Sequence, residues 1–408
     1  MKKYVLVGAG SRALFMFAKP MAKDWNHIVD FCGVFDTNLV RANLLSKECG
    51  GIPVFTDFHD MLAKTRPDTV IVASTDDTHH YYIIEALHAG CDVVSEKPMT
   101  IDEEKTRQIY AAEQASGKQV TVTFNLRFAP YFSTVKQLLQ DGIIGDIYHM
   151  NMEWFLDRDH GADYFRRWHA ELGKSGGLLV HKSTHHFDIL TWWANSAPKQ
   201  LQAFGKRRVY GDHGQPKGER CMTCDYTADC AFYKDITKDD FMNQYYVGAE
   251  AEDGYYRDRC LFDERIDIYD TMSVNLEYAN GILLNYSLVA YSPYEGFRAT
   301  INGSKGRLEL SNIYRSADMK EADQNTIVLY KEDGSKEIME VVSEAGGHGG
   351  GDAKLLQAIF EGGVSDPLGQ QANSSAGAES LMIGVTANRS IAEGNPLLQI
   401  PTVSELRG

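Results

Sequence analysis

The sequence has little of what marks membrane, secreted and nucleic-acid-binding proteins. No apolar run is long enough to cross a bilayer, and the stretch Tyr4–Val7 is too short for a signal peptide. Seven cysteines in 408 residues, an odd number, argue against a disulfide framework and for a reducing compartment. Lys and Arg number 41 against 56 Asp and Glu, a charge that repels phosphate backbones. We therefore expect a cytoplasmic protein with no membrane or nucleic-acid partner.

The length and the order of patterns predict an α/β protein of two domains. In residues 1–124, strand-like and helix-like segments alternate, which predicts a Rossmann domain with a doubly wound parallel sheet. Residues 125–408 contain longer strand-like stretches, which predict an α+β domain with a large, open, mostly antiparallel sheet. A polar, cysteine-bearing insertion is expected at about 210–260, and a C-terminal helix at about 376–392 is expected to pack back towards the first domain. Because an open sheet offers a face to a second subunit, we expect a homodimer or homotetramer.

Particular segments carry these patterns. Strands of the first domain are predicted at Lys3–Val7, Val29–Phe35, Thr69–Ala73, Val93–Ser95 and Val120–Phe124. Strands of the second domain are predicted at Gly145–Phe155, Asp267–Leu276 and Ile282–Ala290, with a helix at Leu179–Asn195.

A glycine-rich turn follows the first predicted strand. Its residues, Gly8-Ala9-Gly10-Ser11-Arg12-Ala13, fit a dinucleotide-binding fingerprint in which small residues permit a tight turn and close approach of a pyrophosphate. Asp36 ends the second strand, where a carboxylate would hold ribose hydroxyls and repel a 2′-phosphate, which favours NAD over NADP. Arg12 keeps NADP open, since it could bind that phosphate. The expected cofactor contacts are Gly8, Gly10, Ser11, Arg12, Ala13, Asp36, Thr75, His79, Glu96 and Lys97.

Two further segments carry a family resemblance. Ala86-Leu87-His88-Ala89-Gly90 precedes Glu96-Lys97-Pro98, and Gly176-Gly177 precedes His181, His185 and Asp188. With the cofactor turn, they resemble the Gfo/Idh/MocA superfamily of sugar and cyclitol dehydrogenases, which includes glucose–fructose oxidoreductase and inositol dehydrogenase. The resemblance covers most of the chain except the insertion. It implies an NAD(P)-dependent oxidoreductase that oxidises a secondary hydroxyl of a sugar, cyclitol or glycoside to a ketone by hydride transfer.

The resemblance also implies catalytic roles for three residues. Lys97 would hold the reacting hydroxyl and lower its proton affinity, or act as the base itself if desolvated. His185 would be the acid–base residue near the reacting carbon. His181 stands where the family has an aspartate, and a histidine can move a proton but supplies no fixed negative charge. The helical spacing of His181 and His185 could also suit zinc, although no glutamate follows as in zinc proteases.

Other side chains are candidates for substrate contact. Asn125 and Arg127 follow the sixth strand at the crossover into the second domain, where the cleft should lie. Trp154, Tyr164 and Trp168 could stack on a sugar ring or belong to the core. A glycine-rich loop at 346–352 either approaches a ligand or is a mobile surface loop. The expected substrate contacts are Lys97, Asn125, Arg127, Trp154, Tyr164, Lys182, His185 and His348.

The insertion contains Cys221, Cys224 and Cys230, with Cys260 thirty residues further on. The spacing of the first pair suits a thiolate zinc site, which Cys260 or His213 would complete. An iron–sulfur cluster and metal-free reduced thiols are the alternatives. In each case we expect a structural role and no part in catalysis.

Two other functions stay open at this point. A glycine-histidine-aspartate loop like that around His348 occurs in NAD-dependent glycosidases related to the superfamily. This resemblance leaves open a redox-neutral glycosidase or lyase that acts through a 3-keto intermediate. A non-catalytic NAD-binding sensor is the third hypothesis, and the presence of both Lys97 and His185 argues against it.

Overall fold

The computed structural model describes residues 1–316, 325–342, 344 and 346–408. Its strands form two sheets, which we call sheet A and sheet B. Sheet A consists of β1 (Lys2–Val7), β2 (Val29–Phe35), β3 (Val54–Phe55), β4 (Thr69–Val72), β5 (Asp92–Ser95), β6 (Val120–Val122) and β15 (Ala372–Asn373). Sheet B consists of β7 (Ile147–Asp157), β8 (Pro198–Lys206), β9 (Thr271–Tyr278), β10 (Leu283–Ser292), β11 (Tyr294–Gly303), β12 (Gly306–Ser316), β13 (Asn325–Lys331), β14 (Lys336–Glu340) and β16 (Leu398–Gln399).

Sheet A has the order β15-β6-β5-β4-β1-β2-β3. Its first six strands pair in parallel, and β15 adds an antiparallel edge through Ala372 and Asn373 beside β6. β1 lies between β2 and β4, so the strand order reverses there and a crevice opens at the carboxyl ends of the strands. The predicted α/β class and the doubly wound parallel sheet are confirmed.

Sheet B has the order β14-β13-β12-β11-β7-β10-β9-β8-β16. β7 and β10 pair in parallel, whereas the other neighbours among the described strands are antiparallel. Met150, Met152 and Trp154 of β7 alternate with more exposed residues, so one face of the sheet packs on the core. The predicted open, mostly antiparallel second sheet is confirmed.

Helices surround sheet A and cover one face of sheet B. In the first domain a π-helical turn, Ala13–Ala18, runs into α1 (Lys19–Lys23), followed by α2 (Leu39–Glu48), α3 (Phe58–Thr65), α4 (His79–His88) and α5 (Glu103–Ser116). The second domain contains α6 (Pro130–Gln140), α7 (Arg158–Arg166), α8 (Leu172–Ser175), α9 (Leu178–His181), α10 (Ser183–Ala194), α11 (Asp240–Tyr245), α12 (Glu250–Asp253), α13 (Gly351–Glu361), α14 (Ser374–Ala392) and α15 (Val403–Arg407). Among the described helices, none has the length and hydrophobicity needed to cross a membrane.

Helix α14 joins the two halves of the molecule. A Cβ at Gly384 would lie 2.3 Å from the carbonyl oxygen of Leu179 in α9, so this close packing requires glycine. Nearer its start, Gly377 faces Val122 of β6 at a similarly short distance. By touching both β6 and α9, the helix fixes the residues of α9 against the end of sheet A.

The insertion, residues 210–260, packs on the first domain. The side-chain amide Nδ2 of Asn38, in the turn before α2, donates to the carbonyl of Ala249 at 3.0 Å. Arg41 of α2 forms an ion pair with Asp253. The insertion therefore covers the first domain beside the carboxyl ends of β1 and β2.

Candidate active site

A cleft with a volume of about 560 Å³ opens at the carboxyl ends of the strands of sheet A. The turn after β1 and the loops after β4 and β5 form one wall. The stretch 160–169, the junction of α9 and α10, and part of the insertion form the other. Because doubly wound sheets bind ligands at this edge, this cleft is the candidate active site.

The glycine turn lies at one end of the cleft. Gly8 has φ +99°, and a Cβ there would lie 2.4 Å from the carbonyl oxygen of Ala73, just after β4. Its amide also donates to the carbonyl of Phe35 at 2.8 Å, which ties the turn to the end of β2. Gly10 and Ser11 line the cleft beside it. The residues present therefore fit the close approach of a dinucleotide pyrophosphate.

Two charged residues flank this turn. Asp36 accepts hydrogen bonds from the amides of Ala9 and Asn38, both at 2.6 Å, and burial raises the pKa of its carboxyl. Arg12 binds Glu96, with Nε 2.8 Å from Oε1, and places Nη1 3.4 Å from the Asp352 carboxylate. Asp36 thus stands at the ribose end of the predicted cofactor site, while the guanidinium of Arg12 is held between two acids.

Tyr246 of the insertion also contacts the turn, a contact that was not predicted. The amide of Ser11 donates to the Tyr246 hydroxyl at 3.0 Å. Tyr246 lies in an aromatic cluster with Phe241, Tyr245 and Tyr255, each within 6.3 Å between ring centroids. The aromatic richness of 241–255 was the available signal, but it does not show which surface the cluster covers.

His79 and Thr75 shape the loop after β4. The ring of His79 lies between two backbone carbonyls, with Nδ1 2.8 Å from Pro98 O and Nε2 3.2 Å from Ser74 O. Burial lowers the pKa of His79, so the ring is neutral and joins the loops after β4 and β5. Both His79 and Thr75 line the cleft on the side of the glycine turn.

Lys97 lies at the base of the cleft, just after β5. Its Nζ donates to the carbonyl oxygen of His181 at 3.1 Å, a contact between the two domains. Desolvation lowers the pKa of Lys97 to about 8, and the nearby carboxylates of Asp76 and Glu96 oppose this shift. A lysine with such a pKa exchanges its proton near neutral pH, as a general base must.

Asp76 was not predicted as a site residue, and its carboxylate lies against the ring of His181. Its Oδ2 lies 2.5 Å from His181 Nδ1, across the domain boundary. Burial raises the pKa of Asp76 well above its usual range, whereas it lowers that of Lys97. The two pKa values therefore approach each other, which suits proton exchange. The signal was the position of Asp76 at the carboxyl end of β4.

His185 lies on α10 facing the same space. It is 4% exposed, lines the cleft, and its Nδ1 has no hydrogen-bond partner in the described part of the chain. Burial, together with Lys97 and His348, lowers the pKa of His185 well below its usual value. The imidazole is thus neutral, and its buried Nδ1 is an unused hydrogen-bonding atom.

The glycine loop places His348 at the rim of the cleft. His348 adopts a left-handed conformation, with φ 52°. Its Nδ1 lies 2.9 Å from Asn125 Nδ2 and 3.2 Å from Asp352 Oδ1, and its ring centroid lies 6.0 Å from that of His185. His348 therefore lines the cleft, and the side-chain amide of Asn125 contacts its ring nitrogen.

Three predicted substrate contacts, Asn125, Trp154 and Arg127, are absent from the described lining of the cleft. Trp154 is 3% exposed, and its ring stacks on His186 at 3.6 Å and faces Phe297 at 5.1 Å. Arg127 makes a bidentate ion pair with Asp188, with contacts of 2.8 and 2.6 Å. Trp154 thus packs in the core on the buried face of sheet B. Arg127 neutralises the buried carboxylate of Asp188. The other predicted contacts, Tyr164 and Lys182, do line the cleft.

The four cysteines of the insertion lie around one small cavity. Cys221, Cys224, Cys230 and Cys260 surround a cavity of about 20 Å³, and all are free thiols. In residues 1–316, 325–342, 344 and 346–408, no three His, Cys, Asp or Glu side chains are arranged to hold a metal ion. The predicted structural zinc is therefore unsupported. Spacing along the chain is consistent with cysteines around one cavity, but it does not determine whether they adopt the geometry of a metal site.

Two family profiles match the chain. The one described as "Oxidoreductase family, NAD-binding Rossmann fold" matches residues 2–124, and "Oxidoreductase family, C-terminal alpha/beta domain" matches residues 136–398. The Bacillus subtilis (strain 168) protein YteT, an oxidoreductase by name, is 37% identical over an alignment of 422 residues that covers 97% of each protein. D-glucoside 3-dehydrogenase of Escherichia coli (strain K12) is 31% identical over 120 residues, 29% of this chain and 34% of that protein.

A solved structure shares the fold over nearly the whole length. The WlbA dehydrogenase from Bordetella pertussis, crystallised in complex with NADH and UDP-GlcNAcA, matches with a TM-score of 0.66 at 19% identity. The match covers 98% of this chain and 99% of that one. The chain therefore belongs to the Gfo/Idh/MocA family of oxidoreductases, and its first domain is an NAD-binding Rossmann domain.

Proposed function

We propose that this oxidoreductase oxidises a secondary hydroxyl of a sugar, cyclitol or glycoside to a ketone, with NAD as the hydride acceptor. The observation that carries the proposal is the desolvated Lys97, held beside Asp76 in the cleft that the glycine turn also lines. The name of the D-glucoside 3-dehydrogenase relative agrees with this substrate class. A small carbohydrate is accordingly the proposed substrate.

Several features support NAD rather than NADP. The Asp36 carboxylate at the end of β2 suits ribose hydroxyls and repels a 2′-phosphate. Arg12 was the alternative ligand for that phosphate, but Glu96 and Asp352 hold its guanidinium. The residues that would hold NAD are the turn from Gly8 to Arg12, with Asp36 at its ribose end and the Tyr246 hydroxyl at the Ser11 amide. When bound, NAD supplies the hydride acceptor.

Proton removal is assigned to Lys97. In its neutral form, the amine accepts the proton of the substrate hydroxyl, and the carboxylates of Asp76 and Glu96 then stabilise the ammonium. His185 would orient the hydroxyl through its unpaired Nδ1. His181 connects Lys97 with Asp76, since its carbonyl accepts from Lys97 and its ring contacts Asp76.

This assignment predicts the pH dependence of oxidation. Below pH 8 Lys97 carries a proton and is not a base, so kcat/KM should fall about tenfold per pH unit. Above this midpoint the rate should reach a plateau, since the amine is already free. Initial rates of NADH formation across pH, at saturating NAD, measure the profile. A profile that does not change near pH 8 would contradict the role of Lys97.

The function itself is tested on a panel of polyols, sugars and glycosides by NADH formation. His185→Ala should lower the rate about 10- to 100-fold, because the hydroxyl loses its orienting partner. Release of an aglycone without net NADH would instead identify the redox-neutral glycosidase or lyase.

Cytoplasmic location and a homo-oligomeric state stay predictions. Native mass spectrometry tests the oligomeric state.

A further inference from the structure

Two arginines share one carboxylate on the second-domain wall of the cleft. Asp163 lies in α7, and its Oδ2 is 2.9 Å from Nε of Arg167, one turn further along the chain. From the insertion, Arg257 brings Nη2 to 3.6 Å from Oδ1 of the same carboxylate. Both arginines line the cleft. The pair therefore joins α7 and the insertion at the substrate cavity.

Within its ion pairs this cluster has one more positive than negative charge, and Asp76 acts on Arg167 only electrostatically, without a described ion pair. Two guanidinium groups face a single carboxylate, and the side chain of Arg257 is only 11% exposed. Its Nε is buried and has no acceptor among the residues for which the structure gives positions. Although burial raises the pKa of Asp163, the two arginines lower it to about 2, so this acid stays ionised. A desolvated cation that shares its carboxylate with a second arginine is costly, and a ligand anion would offset that cost.

The cluster lies towards the proposed reaction centre. The guanidinium of Arg167 lies 5.3 Å from the ring centroid of Tyr164, whose own ring is 5.5 Å from that of His181. On the cofactor side, Arg12 already has two acidic partners. Through Tyr164, Arg167 therefore lies on the side of the proposed reaction centre. Arg257 also lies 4.8 Å from the Tyr246 ring, so the cofactor pyrophosphate is the competing anion.

We propose that Arg167 and Arg257 bind the carboxylate of an acidic sugar, a uronic acid or its glycoside. This assignment rests on the proposed dehydrogenase function and names its substrate class. The planar guanidinium presents paired N–H donors that match a carboxylate. A single excess positive charge fits a monoanion better than the dianion of a sugar phosphate.

The test compares two sugars that differ only at one position, methyl β-D-glucuronide and methyl β-D-glucoside. The wild-type protein should oxidise the glucuronide with the higher kcat/KM. Arg257→Met and Arg167→Met should each lower kcat/KM for the glucuronide about 10- to 100-fold, mainly through KM, and leave the glucoside nearly unchanged. Because Asp163 keeps one arginine in each variant, both are expected to fold. Arg389→Met, an exposed arginine on α14, is the matched control and should have no effect.

Binding is measured alongside turnover. Isothermal titration of the NADH complex should give tighter binding of methyl β-D-glucuronide than of the glucoside, and this preference should vanish in Arg257→Met. Equal binding of the two sugars, or tighter binding of glucose 6-phosphate, overturns the carboxylate site. Weaker NADH binding in Arg257→Met with an unchanged sugar preference would assign the two arginines to the cofactor pyrophosphate. This result would also overturn the carboxylate site. If neither sugar is oxidised, the proposed function fails, and the titration still decides the site.

Discussion

Lys97→Met is expected to lower the rate of substrate oxidation by about three orders of magnitude. Methionine keeps the length of the side chain but provides no basic nitrogen, so the hydroxyl proton has no acceptor. The hydrogen bond from Nζ to the His181 carbonyl is also lost. Single-turnover NADH formation measures the loss, and NADH titration should give nearly unchanged cofactor affinity. A rate within threefold of the wild-type rate corresponds to a change of about 0.7 kcal/mol in the activation barrier. Such a small loss would refute Lys97 as the base.

The same variant should be more stable than the wild type at neutral pH. Lys97 has a folded pKa of about 8 and a usual value of 10.5, so the unfolded chain binds its proton more tightly. The resulting destabilisation, up to about 3 kcal/mol, is fully present below pH 8 and disappears as the pH rises through 10.5. Thermal unfolding should therefore show a higher Tm for Lys97→Met at neutral pH. Lys64→Met, at an exposed position on α3, is the control and should change neither rate nor Tm much.

Asp76→Asn is expected to lower the oxidation rate about 100-fold and to move the pH midpoint to lower pH. The carboxylate stabilises the ammonium of Lys97, so its loss lowers the pKa of Lys97 and makes the amine a weaker base. Asparagine retains an oxygen that can accept from His181 Nδ1. The pH profile of kcat/KM measures both effects.

Asp77→Asn is the matched control for Asp76. It removes the same charge one residue further along, where no direct contact with His181 exists among the described hydrogen bonds. Its pH midpoint should move less than that of Asp76→Asn. If Asp76→Asn loses activity with an unshifted midpoint, then Asp76 holds His181 in place and does not tune Lys97.

The cofactor turn and Lys97 could be predicted because their signals are local. A glycine turn between a strand and a helix is recognisable within a few residues, and Lys97 follows directly on β5. The pairing of Asp76 with His181 joins residues 105 positions apart, and no local pattern encodes it. The same applies to Arg257, which reaches α7 from an insertion outside the family resemblance.

The stacking partner of Trp154 could not be predicted, for a different reason. An aromatic residue on a half-exposed strand can stack on a sugar or on another ring, and its neighbours in the chain do not distinguish these cases. Its partner, His186, lies on α10 and only meets it when the second domain has formed. The sequence around Arg127 likewise does not indicate that Asp188 is its carboxylate partner.

The contact between Ser11 and Tyr246 has a consequence for synthesis of the chain. The two residues are 235 positions apart. At the edge of sheet A, Val122 pairs with Ala372, which is synthesised 250 residues later. A growing polypeptide can form β1 to β6 early, but it does so with a bare sheet edge and an uncovered cofactor turn. The cofactor turn and this sheet edge are therefore complete only after Tyr246 and Ala372 have been synthesised.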